Sequence, residues 1–215
     1  MEWMKALPLS DAKKLWKCND KLAELNYKRF QEMNIEASLT PAILAYEGIQ
    51  YQYMAPLVFT SQALEYIKKH LRILSGFYGV LAPFDGVVPY RLEMQAKATI
   101  KESKDLYDFW KDKIYKTLVQ SDQVILNLAS KEYSKCIESY LTKNDHFITC
   151  VFGEMSNGKV IQKGTMAKMA RGEMVRFLAE NKINNPENVK QFSGLSYEYS
   201  KELSSDKELS IKSGH

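Results

Sequence analysis

The chain is poor in the residues that build metal and disulfide sites. Its 215 residues hold three cysteines and three histidines. Cys18, Cys136 and Cys150 stand far apart with no C-x-x-C pair, which argues against a disulfide framework or a zinc ribbon. They read as buried thiols in a reducing compartment. The alternative, a peroxide-reactive thiol, requires a lowered pKa. His70, His146 and His215 are isolated, so there is no H-x-x-x-H metal motif. Neither a metal nor a cofactor is expected. No apolar run approaches the ~20 residues of a bilayer-spanning helix. The opening MEWMKALPLS lacks a basic stretch followed by a long apolar one. That pattern is not a secretory signal, and the cytoplasm is the expected compartment. P-loop, G-x-S-x-G and Rossmann signatures are missing, so no generic motif names a reaction.

What remains is an ordinary globular composition, 45% hydrophobic and 26% charged. Thirteen tyrosines imply polar contacts at the core's edge. The net charge of +4 permits an anionic partner without demanding one. The length suits a single domain over residues 1–215. Periodicity predicts a helix over Ser10–Asn34, N-capped by Ser10, with Leu15, Cys18, Leu22, Leu25 and Phe30 on one face. Thr40-Pro41 predicts a capped helix over Ala42–Glu47, stopped by Gly48. Further helices are expected at Ser61–His70, Asp105–Leu118, Lys131–Leu141 and Thr165–Asn181. A short one through Phe192 is capped by Asn185 with Pro186 at its first position. Strands are expected at Leu71–Leu74, Gln123–Leu128, His146–Phe152 and Lys159–Gln162, with a hairpin at Asn157-Gly158. Tyr197–Tyr199 is expected to pair with Glu208–Ile211. The fold class is α+β, an irregular mixed α/β with a central mixed sheet and surrounding helices.

One stretch fits no period: SGFYGVLAPFDGVVPYRLEM, Ser75–Met94. Its three glycines and two prolines break regular structure. Its apolar side chains exclude a floppy linker. An ordered, functional loop without secondary structure is expected here.

Four constellations carry chemical potential. In the loop, Asp85, Arg91 and Glu93 pair a guanidinium fork with carboxylates. Arg91 serves either a ligand anion or a structural pair with Asp85 or Glu93. In NLASKEY, Asn127, Ser130, Glu132 and Tyr133 cluster where a strand gives way to a helix, a place that favours anions. Plain capping explains Ser130 and Glu132 equally well. In KMARGEMVR, Lys168 and Arg171 are helix neighbours, with Arg176 on a nearby flank. Gly172 costs that helix about 1 kcal/mol relative to alanine, which points to close approach of a backbone or ligand. Residues 175–192 form a helix-hairpin-helix-like pattern, with Asn184-Asn185 where the DNA-binding version has glycines, so the pattern alone favours an ordinary αα-corner.

These blocks, with KDLYDFWKDKI and KMARGEMVRFLAENKI, resemble the YaaA family of bacterial peroxide-stress proteins. The resemblance runs from about Leu15 to about Glu208. It implies a cytoplasmic role in resisting hydrogen peroxide by limiting free iron and the damage iron causes. It also implies an unusual α/β fold with a positively charged cleft, and DNA binding through a helix-hairpin-helix-like element. Carried over by position, the motif residues are Tyr78, Asp85, Tyr90, Arg91, Glu93, Asn127, Ser130, Glu132, Tyr133, Lys168 and Arg171. Family members usually open with an apolar strand ending in Ser-Pro-x-Lys-Thr. This chain starts at Met1-Glu2-Trp3-Met4, so that strand and its lysine are expected to be lacking. VIQKGT, 160–165, also lacks the usual aromatics.

The expected site is therefore an electropositive cleft gathering Arg91, the NLASKEY strand end and the Lys168/Arg171 helix face. Tyr78, Asp85, Tyr90, Arg91, Asn127, Ser130, Tyr133, Lys168, Arg171 and Arg176 would bind the ligand or its phosphate. Glu93 and Glu132 are the acid and base if chemistry occurs. The expected partner is double-stranded DNA bound without sequence preference. The alternative is an enzyme acting on a nucleotide or nucleobase. A third reading binds iron directly through Asp85, Glu93 and Glu132.

Overall fold

The structure, a computed structural model, describes residues 1–37, 39–119, 123–156 and 159–213, with backbone alone at Ser156 and Lys159. The Asn157-Gly158 turn lies outside the described residues. In chain order come α1 (Glu2–Lys5), α2 (Leu9–Trp16), α3 (Asp20–Gln31), β1 (Thr40–Pro41) and α4 (Ala42–Ala45). Next are α5 (Ile49–Met54), α6 (Ser61–His70), β2 (Ile73–Ser75), β3 (Gly79–Leu81) and β4 (Gly86–Val87). Then follow α7 (Leu106–Trp110), α8 (Lys113–Leu118), β5 (Val124–Asn127), α9 (Lys131–Glu138), β6 (His146–Ser156) and β7 (Lys159–Ile161). Last are α10 (Gly164–Glu180), β8 (Tyr197–Tyr199) and β9 (Glu208–Ser213). The architecture is mixed α and β with a central mixed sheet, as the sequence pattern leads one to expect. Two compact units interleave along the chain. One holds Met1–Ala45, Arg72–Leu118 and Lys131–Tyr140; the other holds Tyr46–Leu71, Val119–Ser130 and Leu141–His215.

In the first unit the long helix expected over Ser10–Asn34 is two helices. Pro8, rather than Ser10, precedes α2. Lys17 ends α2 in the left-handed region at φ 47°. Asn19 then caps α3, its side chain accepting from Leu22 N–H. The break shifts the helical phase. Ala23, Asn26 and Phe30 become the buried face of α3, while Leu22 and Leu25 turn to solvent. The helix expected over Asp105–Leu118 also breaks, at Lys111 with φ 47°. Asp105 caps α7 by accepting from Asp108 N–H. Thr40 and Pro41 are extended, not a helical first turn, because they pair with Val87 and Gly86 of β4. Gly48 opens a helix, α5, where the sequence suggests only a stop.

The Ser75–Met94 stretch is more regular than its composition implies. β2 and β3 form a hairpin with Ile73 opposite Leu81 and Ser75 opposite Gly79. The turn between them is tied by Ser75 Oγ, which accepts from the Phe77 and Tyr78 N–H groups. Gly76 has no room for a side chain, since a β-carbon there would lie 2.5 Å from the Leu92 carbonyl oxygen.

The second unit is built on a five-stranded sheet in the order β5-β6-β9-β8, with β7 paired to the end of β6. β5 and β6 run parallel, Val124 beside His146 and Asn127 beside Thr149. β6 and β9 are parallel; β8 joins β9 antiparallel, the expected terminal pairing. α10 packs Ala167, Ala170 and Met174 onto a core of Phe152, Val189, Phe192, Tyr197, Leu209 and Ile211. Beyond α10 the second helical element is a 3-10 turn, Pro186–Gln191, capped by Asn185 as expected.

Candidate functional site

The first unit holds the loop residues, and each is engaged locally. Tyr90 and Ser75 share a 2.6 Å hydrogen bond between their hydroxyls. The Tyr78 hydroxyl accepts from Val88 N–H at 3.1 Å. Phe77, Tyr78 and Tyr90 pack mutually, with ring centroids 4.9–5.4 Å apart. Asp85 accepts from Ala82 N–H at 2.7 Å and closes a turn. Arg91 donates to Glu93 Oε1 at 3.0 Å and to the Trp16 carbonyl at 3.4 Å. Its guanidinium thus pins the loop to the end of α2. Of the two roles the sequence leaves open for Arg91, the structural pair is present.

The two acid–base candidates belong to this unit. Glu93 is the partner of Arg91. Glu132 Oε1 accepts from Gln95 N–H at 3.2 Å, and its carbonyl accepts from the Tyr107 hydroxyl at 2.9 Å. Glu132 therefore straps α9 to the segment that follows Arg91. Lys135 lies over the Tyr107 ring, 4.5 Å from its centre. Burial, reinforced by Cys136, Glu132 and Asp105, pushes the Tyr107 phenol up to about 12. Tyr133 lies one residue along α9 and is also engaged by a neighbouring group.

In the second unit Asn127 ends β5 and is buried. Its amide donates to Thr149 Oγ1 at 3.2 Å, and its oxygen accepts from Ala129 N–H at 3.0 Å. That bond turns the chain toward Ser130, which directly precedes α9. On α10, Lys168 is exposed. Arg176 pairs with Glu180 one turn on, at 2.9 Å. Arg171 differs from both. Among the described residues its guanidinium donates to Gln162 Oε1 at 3.4 Å, while its Nε is enclosed without an acceptor. Burial holds its pKa below the usual guanidinium value. Arg171 is thus a half-buried cation that forms no salt bridge among the described residues. Gly172 next to it does what its position suggests: a β-carbon there would lie 2.0 Å from the Gln50 carbonyl oxygen of α5.

The predicted residues therefore fall into two groups. Tyr78, Asp85, Tyr90, Arg91, Glu93, Glu132 and Tyr133 share the first unit; Asn127, Ser130, Lys168, Arg171 and Arg176 share the second. Gln162, Gln95 and Trp16 complete these arrangements, and sequence reasoning missed all three. No motif could have flagged them, since each acts through a contact distant in sequence.

The family model for peroxide stress protein YaaA matches residues 1–203. The chain belongs to that family. Among curated relatives it is 55% identical to a UPF0246 protein of Agathobacter rectalis over 96% of this chain and 83% of the relative. It is 54% identical to a UPF0246 protein of Lachnoclostridium phytofermentans over 100% and 84%. It is 57% identical to one of Desulfitobacterium hafniense over 94% and 80%.

Membership of the YaaA family supports a role in peroxide stress. Within this YaaA chain, burial pushes the Cys136 thiol up to about 11 and the Cys150 thiol up to about 12. Both are poor nucleophiles toward peroxide, because the thiolate is the reactive form. Among the described residues no three His, Cys, Asp or Glu side chains gather as a metal site needs, and no helix is long and apolar enough to cross a membrane. A surface hollow of about 530 Å³, lined by Ile100, Lys101, Ser103, Asp108 and Lys111, contains none of the predicted residues.

Proposed function

We propose that this protein binds the phosphate backbone of double-stranded DNA, without reading its sequence, and thereby limits iron-driven oxidative damage under peroxide stress. The binding face is α10, with Lys168 and Arg171, together with the helix-hairpin-helix-like turn over 175–192. The observation that carries this reading is Arg171. An arginine partly withdrawn from water without an anion carries a desolvation cost, and an incoming phosphate offsets it. The guanidinium fork matches phosphate oxygens two at a time. Lys168, three residues earlier on the helix, adds a second positive charge on a neighbouring position.

Protection follows from counterion release. A protein that neutralises phosphates displaces the cations condensed on them. Ferrous ions are among those cations, so hydroxyl radicals would form farther from the duplex. Glu93 and Glu132 each accept a local hydrogen bond, from Arg91 and from Gln95 N–H.

Fluorescence anisotropy with two duplexes of unrelated sequence tests the reading, with free nucleotides as competitors. Similar affinity for both, near the 10⁻⁴–10⁻⁶ M typical of non-specific binding, is expected. In parallel, duplex nicking by ferrous iron and peroxide should fall with the protein present and recover with Arg171→Met. Binding of nucleotides but not duplex overturns the proposal.

A further inference from the structure

Between α5 and α6 the chain projects an apolar tip. Leu57 is 85% exposed and Val58 is 64% exposed. The other exposed large apolar side chains among the described residues all lie below half. The tip is not a loose end. Ala55 terminates α5 in the left-handed region, its N–H bonded to the Tyr51 carbonyl. Pro56–Val58 forms a 3-10 turn closed by Val58 N–H to Ala55 O at 3.1 Å and Phe59 N–H to Pro56 O at 3.3 Å. Phe59 is buried, and Thr60 caps α6 by accepting from Ala63 N–H. Two solvent-facing apolar side chains are therefore held on a fixed support.

The helices on either side of the tip are both fastened to α10 or to the turn that follows it. Gln62, in the first turn of α6, bonds to the ammonium of Lys182, which lies just past α10. One turn further, the Tyr66 hydroxyl donates to the Ile183 carbonyl at 2.5 Å. The start of α6 is thus fastened to the hairpin turn, and Leu57 and Val58 lie five and four residues before Gln62. On the other side, α5 touches α10 backbone to backbone at Gly172, next to Arg171.

We propose that Leu57 and Val58 form a wedge that enters a base step of the duplex and partly unstacks it. This rests on the DNA-binding reading above. The small size of the patch decides among occupants. A stable protein partner needs about 800 Å² per side, far more than two side chains supply. A bilayer needs a larger apolar face or a second anchor. A wedge needs one or two apolar side chains beside cationic groups that hold the backbone, as minor-groove benders use.

The test uses duplexes carrying 2-aminopurine, whose fluorescence rises when it unstacks, with anisotropy read on the same samples. Binding of the full chain should raise the signal severalfold. Leu57→Ser with Val58→Ser should abolish the rise and weaken binding about tenfold, the scale of burying one large apolar side chain. Both positions face solvent, so the variant's melting curve should match that of the parent protein. Binding without any rise in either protein overturns the wedge and leaves phosphate binding standing. Absence of binding overturns both. A concentration-dependent dimer, or binding to anionic vesicles, that the double variant loses would show that the tip serves another surface and also overturns the wedge.

Discussion

The carbonyl oxygen of Gln50 sits 2.0 Å from the place a β-carbon on Gly172 would occupy. α5 and α10 therefore meet along their backbones, and α10 carries its glycine for that contact. Gly172→Ala sets two effects against each other. Helix propensity favours alanine by about 1 kcal/mol. Overpacking against a rigid carbonyl costs about 1–3 kcal/mol, and the overlap is severe enough for this term to win. The urea midpoint should fall. A rise would mean that the two helices separate at little cost.

Glu132 acts here as a strap. Its side chain accepts from Gln95 N–H, a role that an amide oxygen also fills. Glu132→Gln should keep the parent stability, whereas Glu132→Ala should lose about 1 kcal/mol. Equal loss in both variants would show that the charge, not the hydrogen bond, matters.

The buried thiols give a pH signature. Burial raises Cys136 to about 11 and Cys150 to about 12, from an ordinary thiol value near 9. The folded state keeps these protons where the unfolded state loses them. Stability from this source is therefore complete below pH 9 and drains away as pH climbs to 12. The thermal midpoint should decline across that window. At pH 8 a thiol-specific reagent should label half-exposed Cys18 quickly, with Cys136 and Cys150 reacting only after denaturation. Rapid labelling of all three would contradict this burial.

Arg171→Met should leave folding stability unchanged or raise it by about 1 kcal/mol, because a desolvated charge without an anion is removed. A marked fall in melting temperature would show that the guanidinium serves the fold.

Much of the fold was readable where local signals agree. α6 runs over the predicted Ser61–His70, and Gly172 within a helical pattern correctly signals a close approach. Reading failed where one residue outweighed periodicity. Lys17 and Lys111 adopt positive φ angles that no glycine flagged, so two long helices are each a pair. The Ser75–Met94 stretch hid strands because the partner of Gly86-Val87 is Thr40-Pro41, far off in sequence. The candidate residues themselves stood out by type. Their states did not: among the described residues Arg91 has a carboxylate partner and Arg171 has an amide, a difference that depends on Glu93, Trp16 and Gln162 in three dimensions.

The most direct test of the central claim is the salt dependence of duplex binding, measured for the parent chain, Arg171→Met and Arg91→Met. Log affinity should fall linearly with log salt for the parent. Arg171→Met should weaken binding and shrink the slope by about one, whereas Arg91→Met should leave the slope intact. A flat salt response, or a slope that drops for Arg91→Met but not for Arg171→Met, would contradict the account.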